Sequence, residues 1–265
     1  NLPAVIDDYE MGITHVIRGQ EHIANTPRQI LIQEAVGVSR PFYAHLPLIL
    51  SKDRAKLSKR DPEVIPALEY KNLGYLPAAI INFMALIGWN PGGEQEVFSL
   101  TELIEKFDIN KIQKSGGVFN SEKLDWLNKE HIKLLSPKEI EKNILAWLPP
   151  DKRESKLIPV IFERISKWGD VKDMAEKGEL DFFFKKPIYA KEKLVYKNSS
   201  PEKTLNNLKQ ALNILESLNE KDFTKENIKK VLMQIADKLE NRGELLHPVR
   251  YALSGMDKSP DPFII

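Results

Sequence analysis

The sequence predicts an α/β region at the amino terminus, followed by a mostly α-helical remainder. Two short apolar runs, 13–18 and 45–50, stand on either side of one helical pattern, and the first of them is rich in β-branched residues. A strand, a crossover helix and a second strand form a parallel unit, because parallel neighbours need a connection of this kind. From residue 63 onward nearly every apolar pattern has helical spacing.

The composition is that of a folded protein without a global nucleic-acid signature. Of 265 residues, 42% are hydrophobic and 29% are charged, and the formal net charge is +1. A nucleic-acid partner would therefore need local clusters of Lys and Arg. The chain has no cysteine, which excludes disulfides and thiolate zinc sites and agrees with a cytoplasmic location. No apolar run reaches the roughly 18 residues that a membrane helix needs.

Glycine and proline delimit the first elements. Residues 1–8 carry no signal-peptide pattern and are interpreted as a strand. After the strand at 13–18, a helix is expected to begin near Pro27 and to end at Gly37. Its predicted apolar face consists of Ile30, Leu31, Ala35 and Val36. The strand at 45–50 then leads into a polar loop.

Capping residues mark the later helices and the domain boundaries. Pro77 opens an apolar helix that Gly88 closes, and Ser99 with Glu102 forms a capping box ahead of the next helix. Further helices are predicted after Asn120, after Ser136, after Ser200 and between residues 223 and 239. The boundaries predicted from these signals give domains at 1–62, 63–135 and 136–265.

The polar loop after the second strand holds a cluster of cations. Its basic residues are Lys52, Arg54, Lys56, Lys59 and Arg60, and only Asp53 opposes them before residue 61. Ligands of open parallel sheets bind beyond the carboxyl ends of the strands, and a bound anion would relieve the repulsion between these charges. The residues alone leave two interpretations open, a phosphate-binding loop and a solvated basic loop.

Several blocks of the sequence resemble one enzyme family. Residues 56–60, Lys-Leu-Ser-Lys-Arg, resemble the Lys-Met-Ser-Lys-Ser signature of class I aminoacyl-tRNA synthetases. Residues 12–29 and 44–49 resemble the segments that lead into this loop in glutamyl-tRNA synthetases. Downstream, the matching blocks are 74–83, 86–89 and 119–128. Because the blocks follow the family's order, the chain is similar to the C-terminal portion of a bacterial-type glutamyl-tRNA synthetase.

The resemblance implies a fold for each predicted domain. Residues 1–62 would form the C-terminal half of a Rossmann-type nucleotide-binding domain, the catalytic domain of the family. Residues 63–135 would form a helical stem-contact domain, and residues 136–265 a helical anticodon-binding domain truncated at its C-terminus. Glutaminyl enzymes read the anticodon with β-barrels, so the helical pattern after residue 136 favours the glutamyl type.

The resemblance also implies a reaction and a phosphate-binding motif. Family members activate glutamate with ATP to glutamyl-adenylate and transfer the glutamyl group to tRNA-Glu. By resemblance Lys59 is the main phosphate ligand, with Lys56 and Ser58 as the other catalytic residues of the loop. Leu57 and Arg60 complete the motif.

The substrate pockets are assigned by the same resemblance. Glu21, Leu48 and Ile49 fall at ATP-binding positions, the last two where the family holds the adenine. Arg18 falls at a glutamate-binding position, where a guanidinium can pair with a carboxylate through two hydrogen bonds. The alternative for Arg18 is an ion pair with Asp7 or Asp8.

Other conspicuous side chains are interpreted as structural. His15 and His45 lie in apolar strands and are expected to be satisfied core histidines. Trp89 and Trp126 have apolar neighbours at helical spacing and are expected in the core. The five histidines of the chain have no metal-ligand spacing, so no zinc or other protein-bound metal is expected.

The sequence departs from the family in one important respect. The His-Ile-Gly-His type motif, which opens the catalytic domain and lies upstream of the matching blocks, is absent. We therefore expect this polypeptide alone not to form glutamyl-adenylate. The alternative to a partial ligase is a catalytically incomplete tRNA-binding module, and a helical scaffold with a chance basic loop is a third possibility.

The expected partners follow from the family. They are glutamate, tRNA-Glu, and ATP with Mg²⁺ as substrate; no membrane association is expected, and a monomer is predicted. Anticodon contacts are expected from Lys and Arg with stacking on exposed aromatic residues. The basic candidates are Arg242, Arg250 and the lysines between residues 225 and 238.

Overall fold

The computed structural model describes residues 1–58 and 64–265, which divide into two compact units, Asn1–Ser136 and Pro137–Ile265. The helices described in the first unit are α1 (Leu2–Glu10), α2 (Thr26–Val36), α3 (Ala67–Asn72), α4 (Pro77–Gly88), α5 (Leu100–Lys106) and α6 (Ser121–Lys133). Its strands are β1 (His15–Gly19), β2 (Phe42–Leu46), β3 (Ile49–Leu50) and β4 (Gly117–Val118). The helices of the second unit are α7 (Pro137–Trp147), α8 (Ile158–Arg164), α9 (Gly169–Glu176), α10 (Pro201–Glu216), α11 (Lys225–Ala236) and α12 (Gly243–Ser254). Within the described ranges, no helix is both long and apolar enough to cross a bilayer.

The predicted parallel unit is confirmed. β1 and β2 pair in parallel, with Arg18 opposite His45 and Ile17 opposite Ala44. The connection between them is α2, which ends at Gly37 in the left-handed conformation (φ 70°). Glycine adopts this conformation without the steric cost of a Cβ atom, so Gly37 stops the helix where the sequence predicts.

The two faces of this sheet have different environments. Side chains alternate along a strand, so Arg18 and His45 share one face, and both contact Thr26 at the start of α2. On the opposite face Ile17 is 51% exposed and Phe42 is 74% exposed. Parallel sheets are usually covered on both faces. The described residues leave one apolar face of the β1–β2 sheet largely open to solvent.

The interpretation of residues 1–8 as a strand is wrong, because they form most of α1. The apolar residues Leu2, Val5, Ile6 and Tyr9 follow helical spacing, and Val5 is the buried member. Pro3 in the first turn is compatible with a helix, since that turn needs no N–H donor from it.

The predicted apolar face of α2 is also wrong. Leu31 is 65% exposed, and Val36 is exposed as well. The buried side chains of this helix are Gln29 and Gln33, and Gln33 Nε2 donates a hydrogen bond to the Tyr43 hydroxyl (3.0 Å). The helix therefore meets the sheet through polar side chains, and its apolar side faces away from the described core.

The predicted strand at 45–50 is divided into two. Pro47 has no N–H to donate, and β2 ends just before it. β3 then pairs in parallel with β4 in a separate two-stranded sheet. Gly117 is required in β4, because a Cβ atom there would collide with the carbonyl group of Ile87. The short β4 was not predicted, since two residues carry no periodic signal.

The core of the first unit lies mainly between α4 and α6, and α4 has the predicted bounds. Phe83, Leu124 and Leu127 are buried together, and Trp89 lies in a second buried cluster with Phe98. Trp89 is thus a core residue, as predicted. The capping box of Ser99 and Glu102 is present at α5.

Two other core predictions are wrong. Trp126 is 40% exposed, and the Lys123 ammonium lies 4.5 Å from the centre of its ring. His15 is exposed and stacks on Phe42, because it belongs to the uncovered face of the β1–β2 sheet. His45 is half-buried and hydrogen-bonded, as predicted.

A buried polar network joins α4 to α6. Asn82 Oδ1 accepts hydrogen bonds from the Phe98 backbone N–H (2.8 Å) and from His131 Nε2 (3.0 Å). Asn82 Nδ2 donates to the Glu96 carbonyl (3.0 Å). Burial lowers the pKa of His131, because desolvation disfavours the charged imidazolium. The network fixes the 96–98 segment against both helices.

The second unit is helical, as predicted. One buried cluster unites α10, α11 and α12 through Ala211, Leu232, Ala236, Leu245 and Val249. The starts of α7 at Pro137 and of α10 after the Ser200 cap agree with the predicted starts. The helix α12 was missed, because Asn241 to Gly243 resembles a helix end and Pro248 lies inside α12. Burial of its apolar face outweighs the local cost of that proline.

Candidate functional site

The Arg18 guanidinium is held at the carboxyl end of β1 by contacts with Thr26, His45 and Tyr43. Its Nη2 donates to Thr26 Oγ1 (2.8 Å), its Nε lies 3.5 Å from His45 Nε2, and the group lies 5.2 Å from the centre of the Tyr43 ring. Among residues 1–58 and 64–265, no carboxylate pairs with it, so the alternative ion pair with Asp7 or Asp8 is not formed. Its charge remains available to an external anion.

Thr26 is the centre of this arrangement. Its hydroxyl accepts from Arg18, donates to the His22 carbonyl (3.2 Å) and lies 3.0 Å from His45 Nε2. Because Thr26 begins α2, the helix start fixes the hydroxyl in place. The sequence indicated Thr26 only as part of a helix start; the signal that could have found its role is a set of polar residues on one face of two predicted strands.

Glu21 lies close to the same strand end. It belongs to the short 3₁₀ helix Gln20–Asn25, which directly follows β1. A Cβ atom at Gly19 would collide with the Glu21 carboxylate, so the carboxylate lies over Gly19. The structure therefore places Arg18 and Glu21 on consecutive elements at one edge of the sheet.

Leu48 and Ile49 line an apolar cavity of about 300 Å³. The cavity wall also includes Ile17 of β1, Ile87 of α4 and Trp89. The carbonyls of Leu48 and Ile49 already accept hydrogen bonds, from the backbone N–H of Gly117 (3.1 Å) and of Leu57 (2.9 Å). The chemistry that the two residues offer toward the cavity is therefore mainly apolar contact.

The cationic loop follows β3 as a tight turn. The Ser51 N–H donates to the Ala55 carbonyl (2.8 Å), and Arg54 has a left-handed backbone (φ 59°). Lys56 is exposed and forms a bridge with Leu50. Lys52 lies 3.6 Å from Glu122, so one of the loop's charges is partly balanced.

Three of the five motif residues are described. Lys56, Leu57 and Ser58 follow the turn, and Ser58 is exposed. Lys59 and Arg60, to which the phosphate contact and the end of the motif are assigned, lie outside the described residues. The described cations of the loop are thus joined to β3, the strand that lines the apolar cavity.

The basic candidates of the second unit have partners within the chain. Arg250 donates to the Met256 carbonyl (3.2 Å), the Ser259 hydroxyl (2.8 Å) and the Asp257 carbonyl (3.0 Å). Arg242 pairs with Asp237 (2.7 Å). Arg250 therefore acts as a clamp on the segment after α12. The lysines between 225 and 238 are exposed.

No metal centre is formed by the described part of the chain: it contains no group of three or more His, Asp or Glu side chains placed to hold an ion. The first unit thus offers an anchored guanidinium, an apolar cavity and a cationic turn along neighbouring elements. Such a combination can bind an anion beside an apolar ring.

Two known protein families match this chain. The model of the catalytic domain of class I tRNA synthetases (E and Q) matches residues 1–126, and the model of an anticodon binding domain matches residues 123–265. The chain belongs to the glutamate-tRNA ligase family of class I tRNA synthetases. The resemblance found in the sequence is thereby confirmed.

Individual family members support the same assignment. A glutamate-tRNA ligase of Heliobacterium modesticaldum is 36% identical over 98% of this chain and 54% of its own length. That of Bacillus subtilis is 35% identical over 98% and 55%. The crystal structure of a glutamate tRNA ligase from Elizabethkingia meningosepticum in complex with its amino acid matches with a TM-score of 0.73 and 33% identity, over 99% of this chain and 55% of that one. The chain spans about half the length of the family members it matches.

Proposed function

We propose that this chain is part of a glutamate-tRNA ligase, which activates glutamate with ATP and transfers it to tRNA-Glu in the cytoplasm. The observation that carries the proposal is the Arg18 guanidinium, which is held by Thr26 and His45 and pairs with no carboxylate among residues 1–58 and 64–265. A guanidinium fixed in this way is suited to a carboxylate substrate, since planar two-point pairing gives geometric specificity.

The proposed reaction has two steps. A carboxylate oxygen of glutamate attacks the α-phosphorus of ATP, and the bond to pyrophosphate breaks to give glutamyl-adenylate. A ribose hydroxyl of the terminal adenosine of tRNA then attacks the glutamyl carbonyl, and AMP leaves. Mg²⁺ would enter with ATP as part of the substrate, because it is usually bound through phosphate oxygens.

Each described site residue has a proposed part in these steps. Arg18 binds a carboxylate of glutamate, and Glu21 borders the same end of β1. Leu48 and Ile49 contact the adenine through their apolar surface in the cavity. Lys56 and Ser58 support the loop that carries Lys59, which would stabilise the charge that develops on the phosphates.

The same chain is proposed to be inactive by itself while retaining tRNA binding. The supporting observation is the match to an anticodon binding domain over residues 123–265, beside a catalytic match limited to 1–126. Residues 63–135 are proposed to contact the tRNA stem and residues 136–265 its anticodon.

Two measurements test the proposal. We expect this chain to bind tRNA-Glu in preference to a non-cognate tRNA in filter binding, and to show no glutamate-dependent pyrophosphate exchange. Equal binding of both tRNAs contradicts the tRNA assignment, and measurable exchange contradicts the expected inactivity.

The catalytic assignments need the rest of the enzyme. In a completed synthetase, defined here as this chain extended by the preceding residues of the Bacillus subtilis ligase, we expect glutamate-dependent exchange. Arg18→Gln and Lys59→Ala should each abolish it without changing tRNA binding. Unaffected exchange in either variant refutes the role of that residue.

A further inference from the structure

A cationic loop in the second unit displays an apolar side chain to solvent. The loop comprises residues 185–191, Lys-Lys-Pro-Ile-Tyr-Ala-Lys, and its last residue starts the short 3₁₀ helix Lys191–Leu194. Ile188 is 98% exposed, the highest value among the large apolar side chains that the structure describes. Its neighbour Tyr189 is 36% exposed. At this exposure almost the whole of the Ile188 residue is in contact with solvent.

The backbone of the loop is nevertheless supported by α12. Gly255 ends that helix with a left-handed backbone (φ 69°), and a Cβ atom there would lie 3.1 Å from Pro187 Cβ and 3.2 Å from the Ile188 carbonyl oxygen. The ring of Tyr189 packs edge-on against buried Tyr251, with 5.8 Å between the ring centres. The loop thus rests on the end of α12, and Ile188 is presented on a supported backbone.

The charges of the loop are not balanced within the described chain. Lys185, Lys186 and Lys191 form no ion pair among the described residues. The contrast is Lys193, two residues further on, whose ammonium binds Asp257 (2.8 Å); this hydrogen bond raises the pKa of Lys193. Three uncompensated ammonium groups around an exposed apolar pair favour a ligand that carries phosphates next to a flat apolar surface.

The size of the apolar surface decides between macromolecular partners. Specific protein interfaces bury about 800 Å² on each partner around an apolar centre, which is far more than Ile188 and Tyr189 provide. A membrane anchor would need a broader apolar face. Single-stranded nucleic acid needs only a small surface under each base, in the usual case one aromatic ring, with cationic side chains along the backbone. The exposed side chain of Ile188 beside Tyr189 is of that size.

We propose that residues 185–191 bind unpaired nucleotides of the anticodon loop of tRNA. Ile188 and Tyr189 pack against one base, and Lys185, Lys186 and Lys191 contact the neighbouring phosphates. The identification of the RNA as tRNA rests on the proposed function. The match to an anticodon binding domain over residues 123–265 supports this identification.

The test uses the full 265-residue chain and two synthetic RNAs. One is a hairpin with the sequence of the tRNA-Glu anticodon stem and loop, and the other is a fully paired duplex of equal length. Fluorescence anisotropy measures the Kd of each RNA. Ile188→Ser should weaken hairpin binding about tenfold, because the apolar surface that Ile188 buries against the base is lost. It should leave duplex binding unchanged.

Matched variants separate this effect from general changes in the surface. Leu212 on α10 is also an exposed apolar residue of the second unit, and Leu212→Ser should change hairpin binding by no more than about twofold. A double variant, Lys185→Ala with Lys186→Ala, should reduce the dependence of log Kd on log salt concentration by about 1.4, or about 0.7 for each phosphate contact with a single strand. Lys209→Ala on α10 is the matched control for a lysine.

The outcomes are distinct. Unchanged hairpin binding by Ile188→Ser, or an equal loss with the duplex, overturns this inference alone. No binding of tRNA-Glu by the unsubstituted chain overturns the proposed tRNA function as well. Binding to vesicles that contain anionic lipid, if weakened by Ile188→Ser while hairpin binding is unchanged, identifies a membrane contact and also overturns the inference.

Discussion

Thr26 Oγ1 lies 2.8 Å from Arg18 Nη2 and accepts a hydrogen bond from it. The threonine begins α2, whereas the arginine ends β1, so one bond links the helix start to the strand end. Thr26 contacts the guanidinium of Arg18 through this one hydrogen bond. We infer that Thr26 acts as a positioning residue for Arg18. This relationship provides the first prediction.

In the completed synthetase, Thr26→Val should raise the KM for glutamate about tenfold, because one charge-assisted hydrogen bond to Arg18 is lost. The KM for ATP should stay the same, since Thr26 does not line the apolar cavity. Pyrophosphate exchange at varied concentrations of each substrate measures both values. Thr26→Ser keeps the hydroxyl and should restore the glutamate KM. A parallel rise in both KM values would show that Thr26 supports the fold and has no role in orienting Arg18.

Asn82→Ala should destabilise the first unit by about 3 kcal/mol, because it leaves the buried N–H of Phe98 and the carbonyl of Glu96 without their partner. Urea denaturation followed by tryptophan fluorescence measures the change, and Trp89 in the neighbouring cluster is a suitable probe. The control is Asn72→Ala, which removes only an exposed hydrogen bond to Glu69. A loss no larger than that of the control contradicts the importance of the network.

The stability of the first unit should fall as the pH is lowered from about 7 through the usual pKa of histidine, 6.5. Burial lowers the pKa of His131 in the folded state, so between the folded and unfolded pKa values the unfolded chain binds more protons. Its contribution is therefore complete above the unfolded value and is lost progressively down to the folded value. Urea midpoints at several pH values measure this effect. His131→Gln should flatten the profile in that interval, and an identical profile would assign the effect to other groups.

Arg250→Gln should release the segment after α12, because the guanidinium donates to Met256, Asp257 and Ser259. Hydrogen exchange should become faster in residues 256–265, with an expected destabilisation of about 2 kcal/mol for the loss of charge-assisted bonds. Arg242→Gln, which removes an exposed ion pair with Asp237, is the control. If the exchange rates stay the same while tRNA binding is lost, Arg250 contacts RNA and does not clamp the segment.

Local signals predicted much of the fold. The bounds of α4, the capping box of α5 and the end of α2 at Gly37 all follow from contacts within a few residues. The failures depend on distant contacts. Pro248 is tolerated because α12 packs on α10 and α11, and no local pattern reports this packing. Likewise, Leu31 is exposed because no described element packs on its side of α2, and the apolar pattern of the helix does not report this.

The candidate site shows the same limit. The motif at 56–60 and the position of Arg18 are visible in the sequence, because residue type and order identify them. The anchoring of Arg18 by Thr26 and His45 is not visible, since it depends on the parallel register that places residue 18 opposite residue 45. The exposure of Ile188 is not visible in the sequence either, because it depends on the close approach of residues 187 and 188 to Gly255 at the end of α12.

The uncovered side of the β1–β2 sheet has a practical consequence for handling this polypeptide. Ile17 and Phe42 expose apolar surface there. A dye whose fluorescence increases in apolar surroundings should bind to this surface and become brighter. The brightness of such a dye, read before and after mixing with candidate proteins, gives a direct optical assay for whatever shields this surface. Replacing Phe42 with a charged residue should lower the fluorescence of the bound dye and reduce aggregation of the polypeptide.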